Sequence, residues 1–287
     1  KLIEKQAKQA GLGDVAVTWS TGGTGNVGTD ALLSGSLDFA ATGSTALITV
    51  WAKTRGNLNV KGVSAFSVVP FTLNTRNPAI RTIADFTEKS RIALPGIQIS
   101  PQAVMLQMEA EKVFGRGQHN RLDTLTVTMT NPDGMAAMLS GGEIDSQFTT
   151  PPFNYLELKT PGVRQILSSV DVLGGPTTIN LLFTTQKFHD ENPGICRAYI
   201  AALDEAAELI RADHRRAAVL YLAAMNDRKT APEEVIEMLE KPEISFGTTP
   251  QRVLPFAQFM HRVGRINQAA ERWTDLFFPE IHDRPGS

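Results

Sequence analysis

The stretch Ala31-Leu32-Leu33-Ser34-Gly35-Ser36-Leu37-Asp38 decides the fold, because it returns as Ala137-Met138-Leu139-Ser140-Gly141-Gly142-Glu143-Ile144-Asp145 with one inserted glycine. Each copy reads as the end of a helix, a glycine that can take the left-handed conformation, and the start of an apolar strand. The surroundings match as well. A strand pattern precedes each copy, at residues 15–20 and 125–129. A polar loop follows each of those strands, Thr21-Gly22-Gly23-Thr24 in one and Thr130-Asn131-Pro132-Asp133 in the other. After each copy the next strand ends in hydroxyls, at Thr42-Gly43-Ser44-Thr45 and at Thr149-Thr150-Pro151-Pro152. Two readings stay open. The repeated unit is a generic helix-to-strand turn, or the chain holds two similar α/β lobes with hydroxyl-rich loops at the carboxyl ends of their strands, the edge where open α/β sheets bind ligands.

Outward from that repeat, strand patterns at 37–40, 60–69, 72–75, 91–94, 144–148, 163–167 and 178–184 alternate with helical ones at 24–34, 44–54, 101–114, 133–139 and 151–158. Such alternation predicts an α/β fold with a largely parallel sheet. A short helix is expected at 1–10. After Thr185 no strand signal returns, and helices are expected at 193–210, capped by Asn192, and at 215–225, 232–239, 251–263 and 271–277. Only five charged residues fall between Val15 and Thr75, against 29 from Gln186 to Ser287. The first region therefore reads as elements covered on both faces, the second as solvated helices.

Composition narrows the function. The 287 residues can bury a sizeable core, and 42% hydrophobic with 20% charged residues describes a soluble globular protein. A net charge of −2 argues against nucleic acid or an anionic membrane as main partner. A single cysteine, Cys196, rules out an internal disulfide and a thiolate zinc site. It reads as a buried structural thiol. His119, His189, His214, His261 and His282 are scattered without metal-ligand spacing, so no metal and no cofactor is expected.

Gly23-Thr24-Gly25-Asn26-Val27-Gly28 fits the dinucleotide fingerprint, but the acid needed about 20 residues later is absent, since Ile48 stands there. The loops expected at the cleft (21–24, 42–45, 70–71, 96–102, 130–133 and 149–154) contain one ionised side chain, Asp133. Hydroxyls, amides, helix starts and the rings of Phe71 and Phe153 suit binding a small polar molecule better than acid–base catalysis. Asp133 is either a helix-start carboxylate or a partner for an amine on the ligand.

The segment from Leu32 to Gly43, Leu-Leu-Ser-Gly-Ser-Leu-Asp-Phe-Ala-Ala-Thr-Gly, resembles the periplasmic substrate-binding proteins of ABC importers in the nitrate/sulfonate/taurine (NMT1/Thi5-like) class. So do Ile83-Ala84-Asp85-Phe86-Thr87 leading into Arg91-Ile92-Ala93-Leu94-Pro95-Gly96, and the Ser-Gly-Gly-Glu-Ile-Asp repeat. The resemblance implies a two-lobed periplasmic-binding-protein type II fold with a helical C-terminal segment. Lobe one would be 1–70 with 181–287, lobe two 71–180, joined by crossings at 67–73 and 177–182. Family members begin with an apolar strand and a ligand-contacting loop ahead of the first helix; this sequence opens in that helix, so the strand is expected to be missing from it.

By the same resemblance, Thr21, Gly22, Gly23, Thr42, Gly43 and Ser44 of one lobe and Gln98, Ser100, Asn131, Thr150 and Pro151 of the other would hold the ligand, with Phe71 at the hinge against it. The implied protein is a monomeric, non-enzymatic receptor, periplasmic or lipid-anchored outside the cytoplasm. It would close on a sulfonate, nitrate, carboxylate, pyrimidine or aromatic compound and deliver it to a membrane permease with a cytoplasmic ATPase. The alternative is an enzyme on the same scaffold, of the pyrimidine-synthase, menaquinone-pathway or desulfinase type.

Overall fold

Two strands that run against their neighbours organise this molecule. The computed structural model describes residues 1–20, 27–228 and 230–287. Strands β1 (Ala40–Gly43) and β2 (Lys61–Ala65) flank a reversed strand late in the chain. Strands β3 (Ser67–Val69) and β4 (Thr72–Thr75) follow β2 directly. Then come β5 (Ile92–Leu94), β6 (Thr126–Thr128), β7 (Ser146–Thr149), β8 (Arg164–Ser168), β9 (Thr177–Thr178), β10 (Asn180–Thr184) and β11 (Ser245–Phe246). They form a three-stranded sheet β1-β10-β2, a five-stranded sheet β6-β5-β7-β4-β8, and a ribbon β11-β3-β9 between them. β10 is antiparallel to both its neighbours, and β4 is antiparallel to β7 and β8; only the β5 ladders are parallel. A largely parallel sheet is thus corrected. Each larger sheet receives one strand from a segment that has just crossed through the β3–β9 pair, and a strand arriving that way enters reversed.

The helices are α1 (Leu2–Gln9), α2 (Val27–Leu33), α3 (Ser44–Lys53), α4 (Pro101–Phe114), α5 (Asn131–Leu139), α6 (Phe153–Leu158) and α7 (Ser169–Leu173). In the C-terminal part follow α8 (Gln186–Glu191), α9 (Pro193–Ala212), α10 (His214–Ala224), α11 (Pro232–Leu239) and α12 (Leu254–Arg262). Local chemistry explains several boundaries. Ser100 accepts from the Ala103 N–H and Pro101 takes the first turn of α4, where its missing N–H costs nothing. The repeat behaves alike in both copies: Gly35 (φ 77°) and Gly141 (φ 85°) sit in the left-handed region just past α2 and α5.

Three other expectations change. Residues 15–20 carry strand alternation but pair with no strand among the described residues, and Trp19 is 68% exposed. Alternation marks a face; a strand also needs a neighbour's N–H and C=O groups. The run 60–69 divides at Phe66, where the chain leaves the three-stranded sheet for the ribbon. β11 places a short strand after Thr185, and α9 starts at Pro193 without a side-chain cap from Asn192, whose Nδ2 instead donates to the Phe188 carbonyl.

One hydrophobic core runs through both sheets, from Leu47, Trp51 and Phe183 to Leu94, Val104 and Phe148. Trp51 buries its ring and donates Nε1–H to the Asp275 carbonyl at 3.0 Å, pinning α3 to the C-terminal segment. A smaller cluster, Ala218, Leu222, Val235 and Met238, holds α10 against α11. No helix among the described residues is long and apolar enough to cross a membrane.

Candidate functional site

A cavity of about 440 Å³ opens between the two larger sheets. Its walls come from the ends of β1 and β5 and from the starts of α3, α4 and α5, with Ile179 and Asn180 at the head of β10. The N-termini of three helices of eight residues or more therefore converge on one space, each presenting the positive end of its dipole. The two sheet units touch across it. Thr45 Oγ1 donates to the Ile99 carbonyl at 2.6 Å, Pro101 lies against the α face of Gly43, and Arg265 donates to the Gln98 carbonyl.

The residues named from sequence divide into groups. Thr42, Gly43, Ser100 and Asn131 line the cavity. Ser100 does so while capping α4, and Asn131 Nδ2 reaches Thr150 Oγ1 at 3.5 Å. Thr150 is buried behind that contact, followed by Pro151 and a cis Pro151–Pro152 peptide. Ser44 opens α3 fully buried, its hydroxyl unpartnered among the described residues, and its N–H donates to the Ile179 carbonyl. Gln98 is exposed at φ 63° and its amide reaches Asp123 rather than the cavity. Phe71 is fully buried in the core, its N–H on Ser169 Oγ, and takes no part in the cavity wall. Thr21, Gly22 and Gly23 lie outside the described residues, as do four of the six positions of the glycine fingerprint. Asp133 is committed to the start of α5, accepting from Thr130 Oγ1 at 2.6 Å.

Several lining residues were not singled out as ligand contacts from sequence, although Thr45 and Gln102 belong to loops expected at the cleft. Thr45, Thr49 and Lys53 share one face of α3 at four-residue spacing and continue the wall away from the helix start. That spacing was the available signal. Thr29 and Asp30 of α2 face the same space, the Thr29 hydroxyl buried and unpartnered within the described residues. Gln102, 4% exposed, adds its carboxamide from α4. The wall is thus mostly neutral, with hydroxyls, amides and backbone N–H groups, and carries Asp30 and Lys53 as its charged side chains.

Among the described residues, titratable groups elsewhere do not assemble into a catalytic set. Burial pushes the Cys196 thiol up to about 12, far from the thiolate a nucleophile requires. His189 stacks on Phe278 and bonds Asp190 and Glu280 on the surface of the helical segment. No cluster of three or more His, Cys, Asp or Glu with metal-holding geometry occurs among the described residues.

The whole architecture matches solved structures. The periplasmic aliphatic sulphonate binding protein SsuA from Escherichia coli superposes with a TM-score of 0.68 at 17% identity, over 96% of this chain and 88% of that one. The alkanesulfonate-binding protein SsuA from Xanthomonas axonopodis pv. citri, bound to MOPS, gives 0.68 at 17%, over 91% and 84%. A Candida albicans protein with the generic periplasmic binding protein fold gives 0.65 at 14%, over 94% and 89%. No protein-family model matches the chain, and no curated protein matches its sequence. The chain has the periplasmic-binding-protein fold, of mixed α/β class with open sheets.

Proposed function

We propose that this protein is a solute-binding receptor of an ABC importer of the nitrate/sulfonate/taurine class, working outside the cytoplasm and handing its ligand to a membrane permease with a cytoplasmic ATPase. The observation that carries this reading is the neutral, donor-rich cavity held between two sheet units that are linked by only two strand crossings. Residues 1–70 with 181–287 would form one lobe and 71–180 the other. A ligand touching Thr42 and Gly43 on one side and Ser100 and Asn131 on the other would favour the closed arrangement by the free energy of the contacts that only closure completes. Helix starts and uncharged donors suit a sulfonate, nitrate or carboxylate, each helix contributing roughly 0.3–1 kcal/mol. No bond is broken in this function.

Support comes from the neighbouring folds, since the two SsuA proteins bind sulfonates. The test is a thermal-shift screen of the chain with sulfonates, nitrate, carboxylates, pyrimidines and aromatic acids. A ligand at about 1,000 times its Kd stabilises by about 4 kcal/mol. A single chemical class of hits, recovered unchanged, supports the receptor. Turnover of a hit assigns an enzyme on this scaffold instead.

A further inference from the structure

Beneath the five-strand side of the cavity lies a buried layer that is polar where a core is ordinarily apolar. Thr72 pairs with Thr149 and Asn74 with Gln147 across the β4–β7 ladder. Opposed residues and their i+2 neighbours share one face, so all four project the same way. Helix α6 covers them, and its only buried side chains are Asn154 and Glu157. Asn74 Nδ2 donates to Glu157 Oε2 at 2.8 Å and to the Asn154 carbonyl at 3.0 Å. Gln147 Nε2 donates to the Asn131 carbonyl at 2.9 Å, which ties the same layer to a cavity residue. The fully buried contacts between this helix and the sheet are therefore polar.

The layer is short of partners. Among the described residues, Thr72 Oγ1, Asn74 Oδ1, Gln147 Oε1, Thr149 Oγ1, both the Oδ1 and Nδ2 of Asn154, and Glu157 Oε1 are buried without one. Among the described residues no cation offsets Glu157. β4 and β7 contain no charged residue, and Asp133, the one charge on α5, is bound to Thr130. On α6 itself the other polar groups turn outward: Tyr155 donates to Glu243 Oε1 at 2.9 Å under Lys241, and Lys159, just past its end, pairs with Glu234. A metal ion would need room, yet a methyl group on Gly134 would already fall 2.6 Å from Gln147 Nε2. A proton needs none, and it removes the charge from a carboxyl buried among neutral groups.

We propose that the proton on Glu157 is what seats α6 beneath the cleft, making Glu157 a positioning residue whose ionisation frees residues 149–152 and releases the ligand. The proposal rests on the solute-binding reading for its last step only. Burial holds the carboxyl up, at about 8, so the change falls in mildly alkaline solution. Above that pH a buried carboxylate stands with one hydrogen bond, and α6 keeps only the packing of Tyr155 on the α10–α11 cluster, its bond to Glu243 and the Lys159–Glu234 pair. Because α6 also grips the C-terminal helices through Tyr155 and Lys159, its release loosens the contact between the two sheet units as well.

The test uses the full chain and pentanesulfonate, whose charge is constant over the range. Carboxyl-labelled glutamate NMR should show one resonance titrating between pH 7 and 9 that vanishes in Glu157→Gln. Intrinsic-rate-corrected hydrogen exchange should rise in peptides spanning 149–159 across the same interval, and stay flat in Glu157→Gln. If only the protonated form binds, Kd for pentanesulfonate should rise about 30-fold from pH 7 to 9.5, and show no such rise in the variant. A carboxyl that titrates in the ordinary range, or exchange that is pH-independent or equally pH-dependent in Glu157→Gln, overturns the proposal. Pentanesulfonate that fails to bind at any pH counts against the sulfonate reading of the cavity, while titration and exchange still decide the role of Glu157.

Discussion

The two copies of the helix-glycine-strand unit make the same turn and rest on opposite chemistry. Gly35 and Gly141 share a left-handed backbone, and each unit delivers a hydroxyl-bearing strand end and a helix start to the cavity region. Behind the first copy, α3 is seated by Leu47, Ile48, Val50 and Trp51. Behind the second, α6 is seated by Asn154 and Glu157 over Asn74, Gln147 and Thr149. Local sequence thus sets the shape of a binding wall, while what lies behind it decides how firmly, and under which conditions, that wall stands.

Removing the apolar seat should have the largest effect. Trp51→Ala is expected to cost about 3–5 kcal/mol in a denaturant titration, through lost burial and an unfilled cavity. A loss below about 1 kcal/mol would mean that α3 is not held as described. The polar seat should respond to pH instead. A folded carboxyl near 8 against about 4.5 unfolded leaves the native state holding the extra proton, so its stability contribution is complete below about 4.5 and is lost as pH rises to about 8. Relative to Glu157→Gln, the wild type should lose up to about 1.4 kcal/mol per pH unit across that window, flattening above it. Parallel stability–pH curves for the two proteins would remove the contrast between the seats.

The walls themselves can be compared through binding. Thr42→Ala with Thr150→Ala should weaken a hit from the ligand screen about 10- to 100-fold by calorimetry, with the circular dichroism spectrum unchanged. Unaltered affinity would remove the cavity as the ligand site. The smallest effect should come from what the copies share. Gly35→Ala and Gly141→Ala are each expected to cost about 1 kcal/mol because alanine resists positive φ, and similar losses would show that the turn is equivalent in both.

Much of this was legible in the chain. Glycine and proline punctuation placed α4 and α11 at their observed bounds, and the repeat pointed to matching elements. The sheet directions were not legible, because β4 and β10 carry the same apolar signal whichever way they run. Nor was the seat of α6, because only strand register places Asn74 and Gln147 on one face, beneath Glu157 of the helix above. In the cavity, Thr42, Gly43, Ser100 and Asn131 came from motif positions and Gln102 from a loop expected at the cleft, whereas Thr29 joins the wall through tertiary packing alone. Phe71, by its ring a natural stacking partner, went to the core because it sits where a crossing strand enters the five-stranded sheet.

The reversed strand β10 also sets a timetable for the molecule's birth. The middle of the three-stranded sheet is supplied by residues 180–184, yet its flanks are complete by residue 65. At about 5–20 residues per second, the ribosome takes on the order of 6–23 s to make the intervening 115. Throughout that interval β1 and β2 have no partner between them, and apolar faces that end in the common core stay uncovered. The early third of the chain must wait, unfolded or guarded by a chaperone, until the late segment arrives to close it.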